Sequence, residues 1–193
     1  MRKYENYKDS GVKWIGNVPS HWVIQQLRKY IKLVSIKGYG DKTLLSVTRE
    51  NGVIKRDIES KEENHNYIPE DLNGYKLVRV GQFVINKMKS WQGSYGVSLF
   101  EGIVSPAYFV CDLNFTNKEF FSIAIRSRAY IPFFTQYSKG IRVDQWDLSP
   151  LALKSIPFFE PTLEEQHSIV DYLKDKTSKI EQYVTERERE RAA

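Results

Sequence analysis

Pro161-Thr162-Leu163-Glu164-Glu165-Gln166 divides the chain into two parts of different character. Thr162 is placed to accept from the free amides of a helix's first turn. Glu165, three residues on, is placed to reach back to Thr162, which makes the pair a capping box. A proline just before the cap suits an extended entry. From there to Arg191 no Gly or Pro intervenes, so the stretch predicts one long helix. Ile169, Leu173, Ile180 and Tyr183 recur at four- and three-residue steps, the spacing of a seam for a second helix, with Lys176 the one seam position that is not apolar. Beyond Val184 nothing apolar precedes Ala192. Glu and Arg alternate from Glu186 to Arg191, which reads as a solvated helix end or as an abrupt or engineered terminus. The division predicted is a globular domain over 1–161 and a dimerisation helix over 162–193.

Upstream of the junction the pattern changes from helical to strand-and-turn. The first twenty residues are polar, aromatic and rich in turn residues (Asp9-Ser10-Gly11, Gly16-Asn17, Val18-Pro19-Ser20) and predict an extended arm. β-like runs follow at Trp22–Leu27, Thr43–Val47, Leu77–Val80, Gln82–Asn86, Gly96–Leu99 and Ile103–Cys111, most of them separated by Gly, Asn, Asp or Pro. Thr116 and Glu119 stand at capping-box spacing before Phe120–Ile125, a predicted helix, and a second short helix is expected over Ile131–Tyr137. The fold class is therefore mixed α/β (α+β), with an irregular sheet.

The chain has 193 residues, 41% hydrophobic and 27% charged, a globular composition with enough length for a real core. Its single cysteine, Cys111, excludes an internal disulfide framework and reads as a small, half-buried hydrophobe. No apolar run approaches the roughly 18 residues that span a bilayer, and the basic start lacks an apolar core for a secretion signal. A cytoplasmic protein with no membrane partner is expected. The net charge of +5 is unevenly spread. Residues 162–193 carry six basic and eight acidic side chains, leaving 23 basic and 16 acidic in 1–161. Two stretches hold cations and no acid: Leu72–Phe100, with Lys76, Arg79, Lys87 and Lys89, and Phe120–Val143, with Arg126, Arg128, Lys139 and Arg142. Single-sign fields of this kind attract polyanions.

Catalytic motifs are missing. There is no phosphate-binding Gly-x-x-x-x-Gly-Lys loop and no Gly-x-Gly-x-x-Gly turn, and Gly38-Tyr39-Gly40 reads as a turn. His21, His65 and His167 have no ligand partner at metal spacing, so no metal site is expected. Ser105-Pro106-Ala107-Tyr108 faintly resembles an amino-methyltransferase motif but lacks its second proline. Glu62, Glu63, Glu70 and Asp71 fall in a polar loop without the lysine a nuclease site would need. The segment Asn86-Lys87-Met88-Lys89-Ser90-Trp91-Gln92-Gly93-Ser94-Tyr95-Gly96 differs from these. It sets cations, amides, hydroxyls and aromatics between two β-like runs. Lysines neutralise phosphates, and Asn and Gln amides pair bidentately with adenine. The same segment also reads as an ordinary hairpin whose Trp91 covers a core edge.

Three stretches together resemble the specificity subunits of type I restriction-modification enzymes. Tyr7-Lys8-Asp9-Ser10-Gly11-Val12-Lys13-Trp14-Ile15-Gly16-Asn17-Val18-Pro19-Ser20-His21-Trp22 resembles the arm that opens their target-recognition domains. Val84 to Ser98, followed by Ile103-Val104-Ser105-Pro106-Ala107-Tyr108, resembles the domain's central motif. Ile156-Pro157 through Gln166 and Ile169 resembles the junction into the spacer helix. The resemblance implies a non-catalytic α/β reader of double-stranded DNA, with Lys87, Lys89, Trp91, Gln92, Ser94 and Tyr95 on one DNA-facing loop. The acid-free stretch Phe120–Val143 places Lys139, Arg142, Arg126 and Arg128 on the same face, as the other half of a clamp; some of the arginines also read as the solvent side of a helix. The helix would be a spacer whose seam, Ile169, Leu173, Ile180 and Tyr183, pairs antiparallel with another, in a homodimer if the chain acts alone. A type I methyltransferase subunit and a motor-nuclease restriction subunit are the implied partners. S-adenosylmethionine, ATP and Mg belong to those subunits, and no cofactor to this chain. A usual member carries two recognition domains and two spacers, whereas this chain carries one set and a shorter helix. It would be a natural half-subunit, a truncated product or a cloned fragment. The alternatives are a recognition fragment of a nuclease or methyltransferase fusion, and a helix-mediated regulator competing with a full specificity subunit.

Overall fold

The computed structural model describes residues 4–56, 68–140 and 146–192, so Glu62, Glu63, His65 and Arg142 lie outside the described residues. In chain order the first strands are β1 (Tyr7–Asp9), β2 (Asn17–Pro19), β3 (Val23–Gln26), β4 (Ile31–Val34), β5 (Leu45–Thr48), β6 (Gly52–Lys55) and β7 (Lys76–Val78). There follow β8 (Phe83–Asn86), β9 (Tyr95–Val97), β10 (Gly102–Val104) and β11 (Tyr108–Leu113). The C-terminal part holds α1 (Lys118–Ile125), α2 (Ile131–Tyr137), β12 (Ser138–Lys139), β13 (Asp147–Leu148), α3 (Pro150–Ser155), β14 (Pro157–Glu160) and α4 (Leu163–Ala192). The result is a mixed α/β fold of small antiparallel sheets ending in one long helix.

The organising sheet has the order β4-β11-β8-β9. Side chains alternate across a strand, so each face collects every second residue. Phe83 and Ile85 of β8, Tyr95 of β9 and Cys111 and Leu113 of β11 point to one face, into an aromatic core shared with α1 and α2. Val84 and Val110 point to the other, where Leu45, Val47 and Val53 of the β5–β6 hairpin and Val78 and Val104 of the β7–β10 pair cover them. Covering both faces explains why β8 reads as an unbroken apolar run rather than an alternating one. Cys111 is fully buried, more deeply than expected, and burial pushes its thiol up to about 12.

Several predicted elements shift. The Ile103–Cys111 run is two strands, interrupted at Ser105-Pro106, where proline removes a donor and Tyr108 N–H turns back to the Ser105 carbonyl. The cap of α1 is Asn117 rather than Thr116; its side chain accepts from Phe120 N–H at 2.9 Å. The opening arm is a hairpin, β1 on β2, whose Trp14 donates to the Ala129 carbonyl and meets Phe133 edge-on at 4.8 Å. Strand β14 begins at Pro157, is followed by Pro161, and pairs with β3. It carries Phe158 into the centre of the core, against Tyr30, Phe115, Phe120, Phe121 and Tyr130.

The capping box at the start of α4 is formed as its spacing predicts. Glu165 N–H donates to Thr162 Oγ1 at 3.3 Å, and Thr162 N–H donates to Glu165 Oε2 at 3.0 Å. Glu165 also takes His21 Nε2 at 2.9 Å, and Trp22 Nε1 approaches to 3.5 Å, so the arm and the helix meet at one carboxylate. Burial acts to raise the Glu165 carboxyl, but hydrogen bonds from His21, Thr162 and Tyr4 outweigh it and hold it at about 2. The first two turns of α4 pack on the domain: Gln166 and Val170 are buried, and Ile169 packs against the aromatic core. Ile169, expected on the dimer seam, is therefore turned toward its own domain. Lys174 pairs with Glu119 of α1 at 2.9 Å. Around this pair the helix leaves the domain, and Leu173 before it and Ile180, Tyr183 and Val184 beyond it are exposed.

A carboxyl held below its ordinary value of 4.5 stabilises the fold fully above that value, and the contribution is lost as pH falls toward about 2. Acid unfolding of the wild type should therefore steepen between these limits, and Glu165→Gln should flatten that part of the curve. Thr162→Ala should cost about 1 kcal/mol at neutral pH from the lost cap. Circular dichroism melts across pH measure both effects.

Candidate nucleic-acid interface

Strand β8 ends at Asn86, whose side-chain oxygen accepts from the N–H groups of Met88 (3.1 Å) and Lys89 (3.3 Å). This Asx turn starts the connection to β9. It also occupies the acceptor that Asn86 would need to read a base. A 3₁₀ turn over Ser90–Gln92 follows, and Gly93 closes it at φ 98°, in the left-handed region where glycine is free of strain. Asn86 N–H then meets the Ser94 carbonyl at 3.0 Å, and the ladder resumes.

The loop is braced from beneath. The buried Ser90 hydroxyl lies 3.2 Å from the Ser138 hydroxyl of β12. Leu148 N–H of β13 donates to the Lys87 carbonyl at 3.2 Å, and the Thr135 hydroxyl of α2 lies between two carbonyls, Ile131 at 3.0 Å and Trp91 at 3.2 Å. Trp91 meets Trp146 edge-on at 5.4 Å and donates its indole N–H to the Met88 carbonyl. Trp146 was not singled out in the sequence. It lies 55 residues from Trp91, and only the β12–β13 pairing, Lys139 opposite Asp147, brings it here.

The structure brings together one part of the predicted set. Lys89 and Lys139 are exposed, and Lys87, Trp91 and Gln92 are half-buried. Lys139 shares the surface because β13 connects its strand to the Lys87 carbonyl. Among the described residues neither Lys89 nor Lys139 has an acidic partner, and the Gln92 amide has no hydrogen bond. The Lys87 ammonium sits over the Phe109 ring at 5.6 Å.

Three members are corrected. Ser94 and Tyr95 are 3% and 1% exposed and do not face outward. Tyr95 lies across from Ile85 in the β8–β9 register, on the core face, where its ring stacks on Phe134 at 3.8 Å. Arg126 is half-buried and donates to the carbonyls of Tyr95 (2.8 Å), Arg49 (3.2 Å) and Glu50 (2.7 Å), tying β9 to the tip of the β5–β6 hairpin. Burial lowers its proton affinity, and its three hydrogen bonds go to backbone carbonyls rather than to a clamp. Arg128 is exposed, but it precedes α2 whereas Lys139 follows it, so the two stand at opposite ends of that helix. Among the described residues no group of His, Cys, Asp and Glu could hold a metal ion, and no helix is long and apolar enough to cross a membrane.

These elements define a fold shared with the S subunits of type I restriction-modification systems. The HsdS subunit from Thermoanaerobacter tengcongensis superposes with a TM-score of 0.57 at 15% identity, over 91% of this chain and 46% of that one. A chain from a structure of type I R-M complex assembly and conformational transition gives 0.59 at 15% identity, over 86% and 44%. The type I restriction-modification S subunit from M. genitalium gives 0.53 at 12% identity, over 86% and 41%. The chain thus spans less than half the length of each. No family model matches the sequence, and no curated protein matches it.

The Tyr95 hydroxyl is buried and finds no hydrogen-bond partner among the described residues. Removing an orphaned buried hydroxyl relieves a desolvation cost, so Tyr95→Phe should leave stability unchanged or raise it. Tyr95→Ala should lose roughly 3–5 kcal/mol through the cavity it opens, as large aromatic truncations do. Denaturant titration checks both, and a Tyr95→Phe variant destabilised by more than about 1 kcal/mol would contradict the buried placement.

Proposed function

We propose that the chain is the DNA-recognition half of a type I restriction-modification specificity subunit, non-catalytic in itself. The observation that carries this reading is a braced loop with unpaired cations and a free amide, on a fold shared with S subunits over most of the chain. Lys89, Lys87 and Lys139 supply the phosphate attraction, and Gln92 the base-edge contact in the major groove. Trp91 buttresses the loop from Trp146. Methyltransferase and motor-nuclease subunits would carry the chemistry, with S-adenosylmethionine, ATP and Mg held by them. Lys89→Ala should weaken duplex binding evenly across sequences and lower the salt slope by about one unit. Gln92→Ala should lose roughly 1–3 kcal/mol of discrimination at one base pair. Fluorescence anisotropy on a panel of duplexes separates the two patterns; wild-type binding in both variants refutes the loop assignment.

The reading extends to α4. A helix cannot bury an apolar stripe on itself, and Leu173, Ile180 and Tyr183 remain exposed beyond the domain. An antiparallel two-fold dimer through that stripe would set two identical recognition domains in opposite orientation, over an interrupted palindrome. The same stripe is where a second spacer helix would pair in a full specificity subunit. Sedimentation of the wild type against a Leu173→Glu, Ile180→Glu double variant, with and without methyltransferase subunit, tests the dimer. The wild type should dimerise in at least one condition and the double variant in neither; a wild type monomeric in both rejects it.

A further inference from the structure

Lys76 lies on β7 opposite Val104 of β10. Its half-buried ammonium donates to the carbonyls of Pro106 at 3.0 Å and Tyr108 at 2.6 Å. Those carbonyls flank Ala107, whose own carbonyl accepts from the Lys87 backbone N–H at 3.2 Å. The Lys87 ammonium lies over Phe109, one residue beyond Tyr108. Leu77 N–H donates to the Ile36 carbonyl at 2.7 Å, which brings the exposed Lys37 beside Lys76. Three lysines, distant in sequence, thus gather around the Ser105–Tyr108 turn.

Among the described residues no carboxylate is paired with any of the three. Burial is the largest influence on the Lys76 ammonium and lowers its proton affinity; repulsion from Lys87 and Lys37 lowers it further. A partly buried cation between like charges is stabilised by any anion that reaches it. Two of the three ammonium donors are taken by carbonyls, and the third is free to donate. A phosphodiester, with one charge and two unbridged oxygens, has the right chemistry for a fixed ammonium flanked by two others.

We infer that Lys37, Lys76 and Lys87 form a binding site for one backbone phosphate of duplex DNA, beside the recognition loop. The inference rests on the DNA-recognition reading and deepens it. Lys87 is the hinge of the arrangement. Its N–H is bound to the Ser105–Tyr108 turn and its carbonyl to Leu148, next to the strand of Lys139. Lys37 and Lys87 are thus the cations near Lys76, while Lys139 stands on the strand beyond Leu148, opposite Asp147. Because phosphate contacts carry no base information, the site fixes the register of the loop on the duplex rather than the sequence it reads.

The test is the salt dependence of duplex binding by the full chain, on two unrelated mixed-sequence duplexes, for wild type, Lys37→Ala, Lys76→Met and Lys89→Ala. Each neutralised contact should lower the slope of log affinity against log salt by about 0.9. Lys37→Ala and Lys76→Met should do so equally on both duplexes. Lys76→Met also frees the turn it holds; if it fails to fold, the exposed Lys37→Ala decides alone. An unchanged slope in Lys37→Ala, with a lowered slope in Lys89→Ala, overturns the phosphate site and leaves the recognition loop standing. A loss confined to one duplex also overturns it. A wild-type chain that binds neither duplex at low salt overturns both readings together.

Discussion

Everything at the helix end of the molecule converges on the carboxylate of Glu165. It closes the capping box with Thr162, receives His21, and lies within reach of Trp22. Residues 144 positions apart in the chain are joined at this one group. The arm is held besides by Val18 in the aromatic core, by Val12 and Ile15 packed against it and by Trp14, since both strands of its hairpin are short and an isolated two-stranded hairpin is marginal in water. At the helix start the Thr162 hydroxyl accepts from the Glu165 amide, and the carboxylate accepts in return from the Thr162 amide. One carboxylate thus joins two elements that each also reach the core, the arm through Val18 and the helix through Val170.

The loop between β8 and β9 is held by a different device. The sheet beneath it is covered on both faces, by α1 and α2 on one side and by two small strand pairs on the other. The loop leaves this sheet at Asn86 and returns at Tyr95, one anchored by an Asx turn and the other by stacking on Phe134. Between them contacts to β12, β13 and α2 engage the Ser90 hydroxyl and the Lys87 and Trp91 carbonyls, while Lys89 stays exposed. A site built this way is preorganised: contacts that would otherwise have to be ordered on binding are already made within the chain.

The parts legible in the sequence are those whose signal is local. The capping box, the long helix, the apolar β8 and the α2 helix each follow from a few neighbouring residues, and the structure has them where expected. The failures are those that depend on which face a strand presents. Tyr95 and Ser94 have the residue types of a DNA contact, yet Tyr95 lies opposite Ile85 and shares its buried face. Nothing local distinguishes that register from its one-residue slip, which would turn Tyr95 outward. Arg126 was misjudged for a related reason: an acid-free stretch leaves its charge unpaired in sequence, while in space three carbonyls answer it. The pairing of β14 with β3 was hidden by Pro157 and Pro161, which suit an edge pair but suppress a strand pattern.

The bare part of α4 is a lever with its fulcrum at the domain. From Leu173 to Ala192 it covers 20 residues, about 30 Å of helix. A tilt of about 10° at the base moves the far end by about 5 Å, more than the 3.4 Å separating successive base pairs. If the helix measures the gap between two half-sites, the tolerance of that measurement is set at its root. Val170 and Gln166 in the core, and the Lys174–Glu119 pair just beyond, are the fixings that limit the swing. The position of the helix's far end is decided by how firmly its base is clamped.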